Sequence, residues 1–259
     1  MDSFQVQGCQ ALEGGKSVLV AAPTGAGKTI VGEFAAYLAI KTGKKCFYTT
    51  PIKALSNQKF QDLSAMFGDS NVGLLTGDTS INSEAPIVIM TTEVLRNMIY
   101  SNSKTIDDLK YVVMDEVHYL ADKFRGAVWE EVLIHLMESV QVISLSATVS
   151  NAEEFGEWLG EVRGETEVIV SEIRPIPLFQ HVLIGNRLLD LFDAPGRINP
   201  EVLNREREMT RRASLGRNRR GRFAEPSDRL SRADIIEKLQ RENLLPAITF
   251  IFSRAGCDA

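Results

Sequence analysis

Between Ser17 and Val170 the chain alternates short, unbroken apolar runs with longer stretches whose apolar positions recur at helical spacing. The runs are residues 17–22, 46–48, 86–90, 111–114, 142–145 and 168–170. An apolar run without polar alternation predicts a strand covered on both faces. Helical periodicity fills the gaps, for example over residues 29–41 and 52–66. Strand and helix in alternation predict an α/β domain: a parallel sheet with helices on both faces. Such sheets bind ligands at the carboxyl ends of their strands.

Beyond residue 170 the texture changes. Arg174-Pro175-Ile176-Pro177 is stiff and extended, and apolar patches follow at residues 178–183 and 188–192. Between Arg205 and Arg232 stand ten arginines against four acidic residues, a local charge of +6 in a chain of net charge −5. Residues 205–229 hold too few apolar side chains to bury a core, so they are expected to lack regular structure. Their charge would attract nucleic acid without regard to sequence, and a plain solvated linker is the alternative. Ser231 is placed to cap a helix carrying Ile235, Ile236 and Leu239 on one side. Residues 247–252 read as one more buried strand. The predicted layout is a domain over 1–171, a linker over 172–245 and the start of a second domain over 246–259.

Composition narrows the setting. A hydrophobic fraction of 44% can fill a core, and no stretch approaches the roughly 20 apolar residues that span a bilayer. No basic start followed by an apolar run marks a secretory leader. Cys9, Cys46 and Cys257 are far apart and odd in number, which argues against a disulfide framework and fits a reducing cytoplasm. All three read as small core side chains.

Chemistry enters where the first apolar run ends. Ala22-Pro23-Thr24-Gly25-Ala26-Gly27-Lys28-Thr29 sits between a predicted strand and a predicted helix, the context a phosphate-binding loop requires. Glycines let backbone N–H groups turn towards phosphate oxygens, and the helix N-terminus adds its dipole. Lys28 would reach the β- and γ-phosphates of ATP, and the Thr29 hydroxyl would bind Mg²⁺. Ala22 stands where the usual pattern has a glycine. Kinases, transporters and GTPases share such loops, so a second motif is needed. The run at 111–114 ends in Asp115-Glu116-Val117-His118, with both carboxylates at a strand's carboxyl end. Asp115 would hold Mg²⁺ through its water shell, and Glu116 would orient and deprotonate the attacking water. His118, two residues after Glu116, is read as coupling this site to later motifs.

With these motifs the chain resembles the superfamily 2 helicases, in their DExH branch. Within it the resemblance is to the superkiller-type, exosome-associated RNA helicases and the actinobacterial HelY proteins. The resemblance runs over essentially the whole length. It implies a RecA-like fold for the first lobe and makes Asp2-Ser3-Phe4-Gln5 an adenine-reading motif, with Gln5 on the base. Thr50-Pro51-Ile52-Lys53-Ala54-Leu55, Thr76-Gly77-Asp78 and Thr91-Thr92-Glu93-Val94-Leu95-Arg96 match the motifs that grip a nucleic-acid backbone. By that match Pro51, Lys53, Gly77, Asp78, Thr91, Thr92, Glu93 and Arg96 are candidate strand contacts. Such groups meet phosphates and sugars without reading bases. Ser146-Ala147-Thr148 resembles the motif that couples hydrolysis to strand movement, with Ser146 and Thr148 its candidate residues. Phe250-Ile251-Phe252-Ser253-Arg254 resembles the opening of a second lobe.

The resemblance implies an ATP-dependent helicase that favours RNA over DNA and unwinds in the 3′-to-5′ direction. A second reading is a module that holds nucleotide or nucleic acid without turnover. A third, a phosphate-loop ATPase unrelated to nucleic acid, conflicts with the ordered motifs at Thr50, Thr91 and Ser146. The family's arginine fingers match no residue up to Ala259. The chain alone is therefore expected to bind Mg-ATP weakly and to turn it over at no useful rate.

Overall fold

The structure is a computed structural model, and it describes residues 1–123, 125–147, 151–217 and 230–252. The chain divides into two compact units, Met1–Ile176 and Pro177–Ala259.

The first unit is built on one eight-stranded sheet in the order β4-β3-β5-β2-β6-β7-β1-β8. In chain order these are β1 (Ser17–Ala21), β2 (Lys45–Thr50), β3 (Val72–Leu75), β4 (Ser80–Ile81), β5 (Ile87–Thr91), β6 (Leu109–Met114), β7 (Gln141–Ser146) and β8 (Thr166–Val170). All neighbours run parallel except β4, which returns antiparallel against β3. Each of the six apolar runs between Ser17 and Val170 became a strand, with ends displaced by at most two residues. The central strands β1, β5 and β7 are buried throughout, while the edge strand β8 is largely exposed.

Helices cover both faces: α1 (Ser3–Glu13), α2 (Thr29–Thr42) and α3 (Lys53–Phe67) on one, α4 (Thr92–Tyr100), α5 (Gly126–His135) and α6 (Ala152–Arg163) on the other. The pleat sorts the side chains. Val18 and Val20 of β1, with Cys46 and Tyr48 of β2, join Val31, Ala35 and Leu63 beneath α2 and α3. Leu19 and Phe47 point the other way and pack with Leu95, Trp129 and Leu133. Cys9 and Cys46 are free and buried, as their isolation predicts, and Cys257 lies outside the described residues.

Arg163, the last residue of α6, is 9% exposed and serves this second core. Its guanidinium donates to the carbonyls of Leu136 (2.6 Å), Met137 (2.6 Å) and Val140 (2.8 Å), and more distantly to Leu133. These are the orphan carbonyls at the end of α5 and in the loop before β7, which a helix end must satisfy somewhere.

The second unit differs from its sequence reading. Residues 178–198 form two small antiparallel hairpins, β9 (His181–Ile184) with β10 (Arg187–Asp190), and β11 (Phe192–Ala194) with β12 (Arg197–Ile198). The arginine-rich stretch, expected to lack regular structure, is helical over its first part: α7 spans Pro200–Arg217. Asn199 caps it by accepting from the Glu201 N–H at 2.9 Å, Pro200 occupies the first helical position, and Glu201 precedes Arg205 by one turn. Those local signals favour a helix without a core. Residues 218–229 lie outside the described residues. The capped helix after Ser231 is present as α8 (Arg232–Arg241), with Ser231 and Asp234 closing a capping box.

Residues 247–252 do not form the expected strand. Ile248, Phe250 and Phe252 are 83%, 77% and 101% exposed, and no described segment pairs with them. Apolar patterning specifies which faces a strand buries, but a strand exists only against a hydrogen-bonding neighbour.

Candidate nucleotide and strand site

The carboxyl ends of the parallel strands carry the candidate motifs of this unit apart from residues 2–5 at the start of α1, and the strand order sorts them. Over β6, β7 and β1 lie Asp115 to His118, Ser146 and the loop Ala22 to Thr29. Over β3, β5 and β2 lie Thr76 to Asp78, Thr91 to Arg96 and Pro51 to Lys53. One half of this edge thus holds the candidate nucleotide residues and the other half the candidate strand contacts.

The phosphate loop leaves β1 through Ala22 and Pro23, both buried, and turns into α2. Gly27 has φ +82, and a Cβ there would stand 2.7 Å from the Gln5 amide nitrogen, so only glycine fits. Thr24, Gly25 and Ala26 complete the turn. The Ala22 substitution for the usual glycine is accommodated with its side chain fully buried. Gln5 of α1 is itself 4% exposed and is hydrogen-bonded to this loop. Its amide nitrogen donates to the Gly27 carbonyl (3.1 Å) and the Ala26 carbonyl (3.3 Å), and its amide oxygen accepts from the Asp2 N–H (2.8 Å). The structure therefore ties Gln5 to loop and helix start.

Lys28 is buried and its Nζ lies 4.0 Å from Glu116 Oε1. Glu116 in turn has Oε2 at 3.2 Å from His118 Nδ1, though the two atoms are not aligned for a hydrogen bond. Lys28 is distant in sequence from Glu116 and His118, and the fold brings the three side chains together. Glu116 adopts φ 53, ψ 45, the left-handed region, which is sparsely populated by side-chain-bearing residues. Asp115 Oδ1 accepts the Glu116 N–H at 2.9 Å, and Asp115 Oδ2 accepts the Tyr48 hydroxyl at 3.2 Å.

The Asp115 carboxylate and Thr29 hydroxyl are hard oxygen donors of the kind Mg²⁺ takes. Among the described residues no group of three or more His, Cys, Asp and Glu could hold a metal by itself. That partial donor set suits an ion that keeps waters and phosphate oxygens in its shell.

Over the other half of the edge the loops are bonded to one another. Lys53 Nζ meets Asp78 Oδ1 at 3.0 Å, and the Thr76 hydroxyl donates to the same oxygen at 2.9 Å, which holds the Asp78 carboxyl below the usual range. Thr92 is fully buried with its hydroxyl 3.5 Å from the Thr50 carbonyl, so its side chain braces the loops rather than facing a strand. Thr91 is also largely buried. Glu93 accepts from Arg125 at 2.5 Å, and Arg96 stands 3.7 Å from Glu131 of α5. Pro51 is buried, whereas Gly77 lies beside Lys53 with room to spare. Ser146, at the end of β7, is buried, and Thr148 lies outside the described residues.

Sequence reasoning missed Tyr48, Arg125 and Arg163. Tyr48 carried a signal: a tyrosine inside an apolar strand buries a hydroxyl that needs a partner.

Comparison with known proteins accounts for this arrangement. Residues 2–155 match the DEAD/DEAH box helicase family. The probable helicase HelY of Mycobacterium tuberculosis (strain ATCC 25618 / H37Rv) is 58% identical over 273 residues, covering 100% of this chain and 30% of HelY. Human superkiller complex protein 2 is 44% identical over 99% of this chain and 22% of its own length. The structure of Mycobacterium smegmatis helicase Lhr bound to ssDNA and AMP-PNP superposes with a TM-score of 0.54 at 29% identity, over 65% of this chain and 25% of Lhr. The chain thus spans about 30% or less of the relatives it matches. With the family matched over more than half of its residues and the RecA-like helicase lobe present in its fold, the chain belongs to the DEAD/DEAH box helicases, close to the HelY and superkiller-type DExH members.

Proposed function

We propose that this chain is the ATP-binding lobe of an ATP-dependent helicase acting on nucleic acid, with RNA favoured over DNA and 3′-to-5′ unwinding. The observation that carries the reading is the placement of the matched family's candidate motifs along one sheet edge, with residues 22–29, residues 115–118 and Ser146 over β1, β6 and β7 and the others over β2, β3 and β5. Residues 1–171 are read as the lobe, 172–245 as an inter-lobe linker and 246–259 as the start of a second lobe. The preference for RNA rests on likeness to the superkiller-type helicases. Free, buried Cys9 and Cys46 suit a reducing cytoplasm. No helix of the described residues is long and apolar enough to cross a membrane.

Gln5 positions the loop and meets adenine, while Gly25, Ala26, Gly27 and Lys28 cradle the phosphates. Thr29 and Asp115 would hold Mg²⁺, which when bound neutralises charge on the phosphates. Glu116 orients the attacking water and takes its proton, and Lys28 beside it steadies the carboxylate. His118 and Ser146 relay the state of the site, and Thr148 is assigned with them by sequence. Pro51, Lys53, Gly77, Asp78, Thr91, Thr92, Glu93 and Arg96 form or brace the strand surface.

Arginine fingers are worth about 10³ to 10⁵ in rate in related phosphoryl-transfer enzymes. That is roughly 4 to 7 kcal/mol of barrier at 1.36 kcal/mol per tenfold. The described residues offer no arginine at the phosphate half, so the chain alone is expected to bind a fluorescent ATP analogue with Mg²⁺ yet show no RNA-stimulated turnover. Turnover at helicase rates by residues 1–259 would overturn the assignment of catalysis to two lobes. Equal affinity for single-stranded RNA and DNA of one sequence would remove the preference for RNA. A lobe that binds nucleotide but neither strand would favour the alternative of a nucleotide-holding module.

A further inference from the structure

We propose that Tyr48 is a positioning residue for the metal carboxylate: its hydroxyl, presented from β2, fixes the plane of Asp115 for Mg²⁺. The inference rests on the reading of Asp115 given above and extends it to a residue outside every motif.

The geometry is a carboxylate held from both sides. Tyr48 is fully buried and its hydroxyl donates to Oδ2 at 3.2 Å. The Glu116 N–H donates to Oδ1 at 2.9 Å, and the Asp115 N–H is itself bonded to the Thr49 carbonyl at 3.0 Å. A carboxylate with a donor on one oxygen can still turn about its Cβ–Cγ bond. With donors on both oxygens it cannot turn without losing one. The remaining lone pairs then point in a fixed direction, which is what an outer partner does for a metal ligand.

The phenol is rigid in its turn. Parallel pairing of β2 with β6 sets Tyr48 opposite Val113, two residues before Asp115. On one side the ring is met by α2 at Gly32, where a Cβ would fall 3.2 Å from ring carbon Cε2 and 3.0 Å from Val113 Cγ1. Those contacts are tight, so the absent side chain lets the phosphate-loop helix settle on the ring. Lys59 of α3 lies 5.6 Å over the ring and 3.6 Å from Glu33 of α2. Tyr48 therefore sits between the helix that follows the phosphate loop and the helix that follows Pro51 and Lys53. Phenylalanine would fill the same space, so shape alone does not call for the hydroxyl.

The test titrates Mg²⁺ against binding of a fluorescent ATP analogue by the 259-residue chain. For Tyr48→Phe the metal-free affinity stays within about twofold of the parent, and the Mg²⁺ midpoint rises about tenfold, the worth of an outer partner to a metal ligand. In an Asp115→Asn background the same change adds nothing, because the group it positions is gone. An unchanged Mg²⁺ midpoint overturns the proposal. So does equal weakening with and without metal, which would mark Tyr48 as packing only, and a parallel melting curve identifies that case. If the parent chain binds the analogue without any response to Mg²⁺, the metal reading of Asp115 has failed and this proposal falls with it. A parent that responds to Mg²⁺ and a Tyr48→Phe variant with the same midpoint sink this proposal alone.

Discussion

Lys28 places its side-chain amine in a site where the residue is only 6% exposed, with the Glu116 carboxylate 4.0 Å away. Burying a charge without a partner is costly, so such a lysine implies a strong anionic ligand or a catalytic use. Lys28→Ala is expected to lower affinity for an ATP analogue by at least tenfold, measured by fluorescence titration, because it removes the side-chain cation on the terminal phosphates. Unchanged binding would dissociate the loop from phosphate. At this scale most of the site was legible: Lys28, Thr29, Asp115, Glu116 and His118 announce themselves by spacing. Thr92, Glu93 and Arg96 were legible as a motif but not in orientation. A sequence shows a hydroxyl or a charge, and only the fold shows that Thr92 points inward and that Glu93 and Arg96 face Arg125 and Glu131 of α5.

Elements are joined here by polar clasps that periodicity cannot announce. Arg163 is the clearest, a guanidinium from α6 closing the carbonyl end of α5 through fixed, forked donors. Burial lowers its own ionisation, yet it stays charged at any working pH. Arg163→Ala would strand the Leu136, Met137 and Val140 carbonyls in a dry place. We expect a loss of about 3 kcal/mol in chemical denaturation, and Arg163→Lys should recover little, since one ammonium cannot span that fan of acceptors. A loss below about 1 kcal/mol would show that water replaces the guanidinium. Helix caps were the better-marked devices at this scale: Ser231 marks the start of α8 in the sequence, and the fold adds Asp234 to close the capping box.

For the whole molecule, alternation of strand and helix was enough to foretell the sheet, because parallel strands buried on both faces leave an unmistakable apolar run. Strand order is not contained in such runs. Nor were β3 and β4 evident: Val72-Gly73-Leu74-Leu75 is short and broken by a glycine, and a Cβ at Gly73 would strike the Asn82 carbonyl 2.1 Å away. The second unit resisted reading for a different reason. Val202 is its sole buried side chain among the described residues, so its segments answer to caps and hairpins rather than to a core. The exposed apolar stretch 247–252 completes that picture, since its pattern anticipates neighbours that the described chain does not supply.

The backbone at Glu116 couples two properties that selection weighs separately. Its left-handed φ of 53 suits glycine and disfavours a residue with a Cβ, so the carboxylate proposed to activate water stands where the backbone alone would favour glycine. Inactive variants at this position should then diverge in a way unrelated to charge. Glu116→Gly should be more stable to denaturant than Glu116→Ala by about 1 kcal/mol, reversing the order found inside ordinary helices and strands. Finding alanine the more stable of the pair would mean that the loop relaxes freely once the carboxylate is gone. If glycine leads, the fold and the reaction make opposing demands on one residue, and a lineage that lost the activity would be expected to drift towards glycine there.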